Sequence, residues 1–511
     1  MAHANGTGIE SSSSTPDLNT PTASGPGRGR FGPATGVFDY APAPETVKAP
    51  IAPKYDLFIG GRFVKPKGGE RFATINPATE AVLSEVAQAG EADVNAAVAA
   101  ARKAQPAWAA LSGGERAKYI FRIARRIQER ARELAVLETL DSGKPIKESR
   151  DVDVPLVAAH FFYYAGWADK LAYAFPGRTA KPVGVCGQVI PWNFPQLMAA
   201  GKLAPALACG NTCVLKPAET TPLTALRLAE IIAECDLPPG VVNIITGDGR
   251  TGAALVGHED VDKVAFTGST EVGKKIAAAL APRGTSLTLE LGGKSPHIIF
   301  EDASIDQAIE GIISGIYFNQ GEVCCAGSRL LVQESVLDTV VTKLRHRLAS
   351  LRVGDPMDKN TDVGAVNSAA QLERIREYLR LGRDEGATLH EASGGTLPAK
   401  GFWCRPCFFT DVQPSNVIAR EEIFGPVLAV MSFRTPEEAV QRANNTAYGL
   451  AAGVWTDKGS KIFDIARQLK AGVVWCNTYN KFDPTSPFGG YRESGFGREG
   501  GVHGLRAYVK F

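Results

Sequence analysis

Apolar and polar residues alternate regularly from Tyr55 onward, and the pattern predicts short strands separated by amphipathic helices. In the first half, strands are predicted at "VGVCGQVI", "TCVLKP", "VVNIIT" and "KVAFTG", each followed by a helix such as "TALRLAEIIAECDLP". Strand, helix, strand at this spacing is typical of βαβ units, in which helices cover both faces of a parallel sheet. A dinucleotide or phosphate ligand is expected at the carboxyl ends of such strands.

The alternation starts again near residue 290, with "PHIIF", "DQAIEGIISGIYFN", "RLLVQ" and later "VLAVMSF". This predicts a second unit of the same kind, so the expected fold class is α/β with two Rossmann-like parallel-sheet domains. Ahead of both units, "YDLFIGGRFV" predicts a hairpin around Gly60 and Gly61. The segment "ERAKYIFRIARRIQERARELAVLETLDSG" predicts one long amphipathic helix that ends at Gly143.

The N-terminal tail, residues 1–53, has a different composition. Residues 1 to about 35 are rich in Ser, Thr, Gly, Pro and Ala and carry too few apolar side chains to offset the entropy lost on ordering, so we expect them to be disordered. Residues 36–53 contain Phe38 and Tyr40 among prolines, and we expect them to lie along the surface.

Composition and charge exclude several classes of protein. The chain has 511 residues, 44% hydrophobic and 22% charged, which is ordinary for a globular protein of two or three domains. Lys and Arg number 56 and Asp and Glu 54, so a net charge of +2 predicts neither a nucleic-acid nor a membrane partner. Nine sparse cysteines, and an N-terminus without the apolar region of a signal peptide, predict a cytoplasmic protein with reduced thiols.

Two glycine-rich turns formally match phosphate-binding patterns. Gly247-x-Gly249-x-x-Gly252 follows the strand "VVNIIT", but the acidic residue of the dinucleotide fingerprint is missing about 20 positions later, where Thr267 and Gly268 stand. The next turn, "TGSTEVG", again places glycine and hydroxyl residues at a predicted helix N-terminus, where free amides favour anions. Each signal is weak alone. No metal site is predicted, because the seven histidines are scattered and no paired CxxC is present.

The segment "GFWCRPCFF" has the cysteine spacing of a thioredoxin-type dithiol at Cys404 and Cys407. Such a motif needs a following helix, whose N-terminus lowers the pKa of the first thiol. The next run, "FFTDVQP", predicts a strand instead. We therefore interpret this pair as structural.

Cys324 follows a polar loop in "FNQGEVCCAGSR" and precedes a second cysteine, Cys325. A free cysteine is usually a small buried hydrophobe. This one does not lie on a periodic apolar face, and a thiolate is suited to attack a soft electrophile such as an aldehyde carbonyl. On the residues alone, a packing role and a nucleophilic role both stay open.

Seven motifs then occur in one order: "PWNFP" at 191–195, "KPAE" at 216–219, "GSTEVG" at 268–273, "LELGGKSP" at 289–296, "GEVC" at 321–324, "EEIFGPV" at 421–427 and "PFGGYRESGFGRE" at 487–499. Together they closely resemble the NAD(P)-dependent aldehyde dehydrogenase superfamily, and the resemblance covers about residues 55–511. It implies an oxidoreductase of the hydrolytic, non-acylating type, which oxidises an aldehyde to the carboxylate.

The resemblance also implies a division of the chain. Residues 54–163 and 182–289 are expected to form the NAD-binding domain, and residues 290–492 the catalytic domain. Residues 164–181 and 493–511 match a small oligomerisation element that is shorter here than in many relatives. Both shortened segments match parts used in assembly. The resemblance therefore implies an altered oligomer instead of the common tetramer: a homo-oligomer such as a dimer, or a hetero-assembly with a longer paralogue.

The motif positions assign roles in catalysis. Cys324 is implied to be the nucleophile, and Cys325 a bystander. Its thiolate would form a thiohemiacetal, and hydride loss to the nicotinamide would leave a thioester. Glu290 is implied to be the general base that activates water to hydrolyse this thioester. The side chain of Asn193 and the backbone N–H of Cys324 would form the oxyanion hole.

The expected cofactor is NAD. Lys216 and Glu219 would meet the adenosine ribose hydroxyls, and the carboxylate of Glu219 would repel the 2′-phosphate of NADP. The full implied set is Ile190, Pro191, Trp192, Asn193, Lys216, Glu219, Gly249, Gly268, Ser269, Gly273, Glu422 and Phe424.

By motif position, Phe194, Met198, Gly201 and Phe482 would line the substrate tunnel. Gly201 stands where many relatives carry a bulky aromatic residue, which suggests a wider tunnel. The expected partner is a small-molecule aldehyde, and the residues do not identify which one.

Three rival hypotheses make different predictions for these residues. Dehydrogenases that pass the acyl group to coenzyme A typically lack the carboxylate at position 290, which is present here. A non-catalytic protein with this fold would be expected to have lost Cys324, Glu290 or Asn193. A dithiol oxidoreductase would depend on Cys404, and a Cys324→Ala variant of it would keep its activity.

Overall fold

The computed structural model describes residues 41–393 and 395–511, so the predicted disorder of residues 1–35, with Phe38 and Tyr40, falls outside the described residues. Residues 41–53 run along the surface, as predicted. The amide of Ala43 donates to Asp358 at 3.2 Å, and the carbonyl of Pro50 accepts from the Arg227 guanidinium at 2.5 Å. None of the described helices is long and apolar enough to cross a bilayer.

The strands follow the predicted alternation. They are β1 Lys54–Tyr55, β2 Leu57–Ile59, β3 Arg62–Val64, β4 Arg71–Ile75, β5 Val82–Ala87, β6 Lys181–Pro182, β7 Val185–Val189, β8 Thr212–Lys216, β9 Val242–Ile244, β10 Lys263–Thr267, β11 Ser286–Glu290, β12 Pro296–Ile299, β13 Arg329–Gln333, β14 Thr388–Glu391, β15 Cys407–Thr410, β16 Val427–Phe433, β17 Ala451–Trp455, β18 Val473–Cys476, β19 Gly495–Phe496 and β20 Val509–Lys510.

Helices connect most of these strands. They are α1 Glu91–Ala110, α2 Gly113–Glu129, α3 Ala131–Ser142, α4 Ile146–Glu148, α5 Val154–Trp167, α6 Leu171–Ala174, α7 Pro195–Ala208, α8 Leu223–Glu234, α9 Gly249–Gly257, α10 Thr270–Leu280, α11 Ile305–Ile316, α12 Leu337–Ala349, α13 Ala369–Asp384, α14 Val417–Arg420, α15 Pro436–Asn444, α16 Gly459–Gln468 and α17 Gly501–Arg506.

Two large sheets organise the described residues, and they confirm the predicted α/β class. The first has eight strands in the order β19-β11-β10-β7-β8-β9-β2-β3, and its central five strands are parallel. The second has seven strands in the order β14-β15-β16-β13-β12-β17-β18, all parallel except β14. Both are buried on two faces, as expected where helices cover a parallel sheet.

The predicted hairpin around Gly60 and Gly61 is confirmed as β2 and β3, which continue the first sheet beyond β9. The single long helix predicted up to Gly143 is wrong in one respect, because the chain breaks at Arg130 between α2 and α3. The side chain of Arg130 turns to Glu133 and to Glu234 of α8 there. Its end is confirmed: Gly143 has φ +87°, a left-handed conformation that glycine adopts at low cost.

The predicted domain limits stay a prediction. The positions of the strands in the two sheets can be compared with them. The seven strands of the second sheet lie within residues 290–492, whereas β19, from the predicted oligomerisation element, pairs antiparallel with β11 of the first sheet. Near the end of the sequence, β20 pairs with β6. The predicted altered oligomer likewise stays a prediction.

Candidate active site

The carboxyl ends of the parallel strands in the first sheet converge on one edge, as strand order requires. Ile190 to Phe194 follow β7, Gly268 and Ser269 follow β10, and Glu290 ends β11. Since β11, β10, β7 and β8 are neighbours, these residues come together although about 100 positions of sequence separate them. This is the edge where the sequence predicts a nucleotide.

The loop that carries Cys324 connects α11 to β13 of the second sheet. Cys324 therefore lies near the amino end of β13. Three residues in a row ahead of it are left-handed, with φ of +48° at Asn319, +53° at Gln320 and +74° at Gly321. Non-glycine residues adopt this conformation only when their surroundings hold them there. The carboxylate of Glu148 does so by accepting the amide of Asn319 at 2.9 Å.

Asn193 is tied to this same loop. Its side-chain amide donates to the carbonyl of Glu322 at 2.8 Å, and its own carbonyl accepts from the Asn319 side chain at 3.0 Å. The loop and the amide are therefore fixed to each other across the two sheets. An amide nitrogen carries two hydrogens, so one remains for a ligand.

Cys324 is half-buried and lies at the junction of two cavities. One, of about 410 Å³, we call the cofactor cavity; the other, of about 120 Å³, we call the tunnel cavity. Met198, like Cys324, lines both cavities. A thiol in this position can reach a small molecule on one side while a larger ligand lies on the other.

Eight of the implied site residues line the cofactor cavity: Pro191, Trp192, Asn193, Gly268, Ser269, Cys324, Glu422 and Phe424. Of the others, Ile190, Lys216, Gly249, Gly273 and Glu290 line neither cavity, and Glu219 lines a separate cavity of about 530 Å³. The Lys216 ammonium, whose pKa is lowered by burial, lies 3.3 Å from the Glu219 carboxylate. In the tunnel cavity, the lining includes the predicted Phe194, Met198, Gly201 and Phe482.

The cofactor cavity suits a dinucleotide on its own chemistry. Ser269 caps α10 by accepting from the amide of Val272, so the helix begins at the cavity wall and directs its positive end there. Glu422 is held by the amide of Gly293 at 3.0 Å, and burial raises the pKa of its carboxyl to about 7. An anion-binding helix end and a fixed carboxyl group fit a pyrophosphate and a ribose hydroxyl.

Glu290 is buried, and neither of its carboxylate oxygens has a hydrogen-bond partner in the described part of the chain. Burial raises the pKa of this carboxyl well above its ordinary value, and the nearby Glu499 adds to the effect. A negative charge on Cys324 would raise this pKa further. Such a carboxyl is a candidate proton acceptor, because an unpartnered buried charge is costly.

The sequence reasoning assigned no role to two groups beside Glu290, namely Lys202 of α7 and Glu499. They form a buried ion pair, and the Lys202 ammonium also donates to the Thr267 hydroxyl at 2.6 Å. A signal was available, since Lys202 is a lone charge in the apolar helix "PQLMAAGKLAPALA". Gln371, Arg374 and Tyr448 of the cofactor cavity were also missed.

The thiols of the "CRPC" segment lie elsewhere. Cys407 begins β15, which confirms the predicted strand, and burial raises the pKa of both Cys404, to about 12, and Cys407. Unlike Cys324, these two thiols line neither the cofactor cavity nor the tunnel cavity. The dithiol hypothesis therefore finds no support in the geometry.

Comparison with known proteins matches these motifs and this geometry to one family. The model of the aldehyde dehydrogenase family matches residues 63–511. This chain belongs to the aldehyde dehydrogenase family. It is an NAD-dependent aldehyde dehydrogenase.

Relatives of this aldehyde dehydrogenase are similar over nearly their whole lengths. The mitochondrial aldehyde dehydrogenase of Homo sapiens is 46% identical over 94% of this chain and 96% of its own. The mitochondrial benzaldehyde dehydrogenase of Antirrhinum majus is 44% identical over 93% of this chain and 92% of its own. The solved NAD+ complex of the Bacillus cereus aldehyde dehydrogenase is 46% identical, with a TM-score of 0.87 over 89% of this chain and 95% of that one.

Proposed function

We propose that the enzyme oxidises its aldehyde through a covalent intermediate on Cys324 and releases the product by hydrolysis. The observation that carries the proposal is the position of the Cys324 thiol at the junction of the cofactor and tunnel cavities. An aldehyde in the tunnel cavity can meet the sulfur while NAD lies in the other. The residues of the cofactor cavity that would hold NAD are Trp192, Gly268, Ser269, Glu422 and Phe424.

The first step adds sulfur to carbon. The Cys324 thiol releases its proton to solvent, and the sulfur then bonds to the carbonyl carbon of the aldehyde while the C=O π electrons move to oxygen. The free amide hydrogen of Asn193 and the backbone N–H of Cys324 would stabilise the resulting oxyanion. Asn193 is already oriented for this by its bond to the carbonyl of Glu322.

The second stage completes the oxidation and frees the enzyme. When bound, NAD supplies the acceptor for the hydride that this carbon must lose. Water then attacks the thioester on Cys324, Glu290 takes the water proton, and the C–S bond breaks to release the carboxylate. Since the Glu290 carboxyl lines neither cavity, its side chain must turn toward Cys324 in this step. The carboxylate of Glu499, which is paired with Lys202, can then take the proton from Glu290.

The resting thiol is predicted to be protonated. The neighbouring Cys325 thiol and burial raise the pKa of Cys324 well above its ordinary value of 9.0. The thiolate fraction therefore increases with pH, and in the NAD-free enzyme we expect alkylation of Cys324 by iodoacetamide to accelerate steadily between about pH 6 and 9.5. Peptide mapping at several pH values measures this, and a rate that reaches a plateau near neutrality would contradict a raised pKa.

We also propose that Glu219 sets the preference for NAD. Its carboxylate is half-exposed and paired with Lys216, so it would both accept from a ribose hydroxyl and repel a 2′-phosphate. In Glu219→Ala, the ratio of kcat/KM for NAD to that for NADP should fall roughly tenfold, because Lys216 would then attract the phosphate. Steady-state kinetics with both cofactors measures the ratio. Glu310→Ala removes an exposed carboxylate on α11 and serves as the control; equal ratios in both variants would exclude the role of Glu219.

The cellular location and the assembly state remain proposals. The predicted cytoplasmic location rests on the sequence alone, and the names of two relatives above place those proteins in mitochondria. We propose an oligomer smaller than the common tetramer, or a hetero-assembly. Light scattering after gel filtration would test it, and a stable homotetramer would contradict it.

A further inference from the structure

The tunnel cavity has an apolar wall built mainly from aromatic rings. The rings of Phe194 and Phe318 stack with centroids 6.0 Å apart, and Phe482 meets both Trp475 and Phe488 edge to face. Its volume, about 120 Å³, is close to that of a cavity of about 150 Å³ known to hold one benzene ring. The wall therefore suits an aldehyde with one ring-sized apolar group.

One polar side chain in this wall has no protein partner. His160 lies on α5, one helical turn after Leu156, and both face the cavity. Its Nδ1 atom is buried without a hydrogen-bond partner in the described residues, and its ring stacks on Tyr164. Burial lowers the pKa of His160 to about 4, so its imidazole is neutral at physiological pH and offers one donor and one acceptor.

Three acidic groups around the cavity are already engaged, and the one cation among the described residues of its lining, Lys481, is exposed. Glu499 is paired with Lys202, Asp153 with Lys144, and Asp483 accepts from the hydroxyl of Ser486 at 2.7 Å. The fields of Glu499 and Asp483 reach His160 and would oppose an anionic group beside it. One oxygen of Asp153 also lacks a partner, but its carboxylate already has the Lys144 ammonium as counter-ion.

Gly201 lines the same cavity and leaves space in it. A Cβ atom built there would have one neighbour within 4 Å, the Glu499 carboxylate at 3.6 Å, so the missing side chain opens room beside a group that also acts on His160. The aromatic wall would hold the ring of a substrate, and a substituent on that ring could extend toward the neutral imidazole of His160. It would occupy the space that a side chain larger than Gly201 would fill.

We propose that the substrate is an aromatic aldehyde with a neutral hydroxyl group distant from its formyl group, and that His160 is the specificity-determining residue that hydrogen-bonds this hydroxyl. The inference rests on the proposed function, which fixes the formyl group at Cys324. A hydroxyl can both donate and accept, so it matches either tautomer of the imidazole. A carboxylate in its place would meet Glu499 and Asp483.

The test uses two aldehydes of nearly equal shape, 4-(hydroxymethyl)benzaldehyde and 4-ethylbenzaldehyde. In the wild-type enzyme, kcat/KM should favour the hydroxyl compound roughly tenfold, mainly through KM, because the apolar compound leaves the buried imidazole unpaired. In His160→Leu the ratio should fall to about one, and His160→Asn should restore part of it. His346→Leu, the same change on the exposed face of α12, should keep the wild-type ratio. A 4-carboxybenzaldehyde should be the poorest substrate of the three.

Acetaldehyde, which has neither a ring nor a hydroxyl group, reports whether each variant is folded and active. A ratio of about one in the wild-type enzyme overturns the inference without any variant, and so does an unchanged ratio in a His160→Leu enzyme that still oxidises acetaldehyde. Failure of the wild-type enzyme to oxidise any aldehyde would instead contradict the proposed function. Gly201→Leu should lower kcat/KM for both ring compounds about tenfold relative to acetaldehyde.

Discussion

Replacing Cys324 by alanine should abolish aldehyde oxidation, with a loss in kcat of at least about 10⁴-fold. The sulfur is the atom that bonds to the substrate carbon in the proposed mechanism, and an alanine offers no substitute for it. The cavities should persist, since Cys324 is only half-buried and the loop is held by Asn319 and Glu148. NADH formation at saturating aldehyde measures the loss.

Cys325→Ser is the matched control. This thiol is adjacent in sequence but buried, and its sulfur lies 3.8 Å from the Asn480 side-chain oxygen. It should retain most of the activity, while NAD binding, followed by fluorescence titration, should be unaffected in Cys324→Ala. Turnover that survives in Cys324→Ala and disappears in Cys404→Ala would favour the dithiol hypothesis instead.

Replacing Glu290 by glutamine should slow hydrolysis of the thioester by about 10²–10⁴-fold. The thioester should then form faster than it is hydrolysed. Glutamine preserves the shape of a side chain that is fully enclosed, but it cannot take a proton from water. We therefore expect a stoichiometric burst of NADH followed by a slow steady state. Stopped-flow absorbance measures both phases.

The pH dependence gives Glu290 a second signature. Burial and Glu499 raise the pKa of its carboxyl, and only the deprotonated form is a base, so the steady-state rate of the wild-type enzyme should increase as pH rises through that value. In Glu290→Gln this dependence should be lost from the slow phase. A variant with wild-type steady-state rates and no burst would argue against a role in hydrolysis, provided that hydride loss is not the slow step.

The fold class could be predicted from the sequence because the apolar periods of strands and helices are local and strong. The motifs then placed Cys324, Asn193 and Glu422 near one cavity, since each motif belongs to one turn of the chain. The break at Arg130 could not be predicted, because no glycine or proline marks it in the sequence. In the fold, the Arg130 side chain pairs there with Glu234 of another helix, about 100 positions away.

The same limit explains the residues that were missed. Lys202 and Glu499 are separated by 297 positions, and their ion pair forms only when α7 meets the loop after β19. His160 is one histidine in an apolar helix, and the sequence does not tell which face of α5 borders a cavity. The carboxyl of Glu290 lines neither cavity, and its role as general base stays a prediction.

The most direct test of the account is to trap the intermediate. Glu290→Gln is mixed with NAD and aldehyde, quenched with acid during the burst, digested and analysed by mass spectrometry. The account predicts an acyl group, attached as a thioester, on the peptide that contains Cys324 and on that residue alone. An unmodified Cys324 in protein that has formed one equivalent of NADH, or an acyl group on Cys404, Cys407 or Cys325, would contradict it.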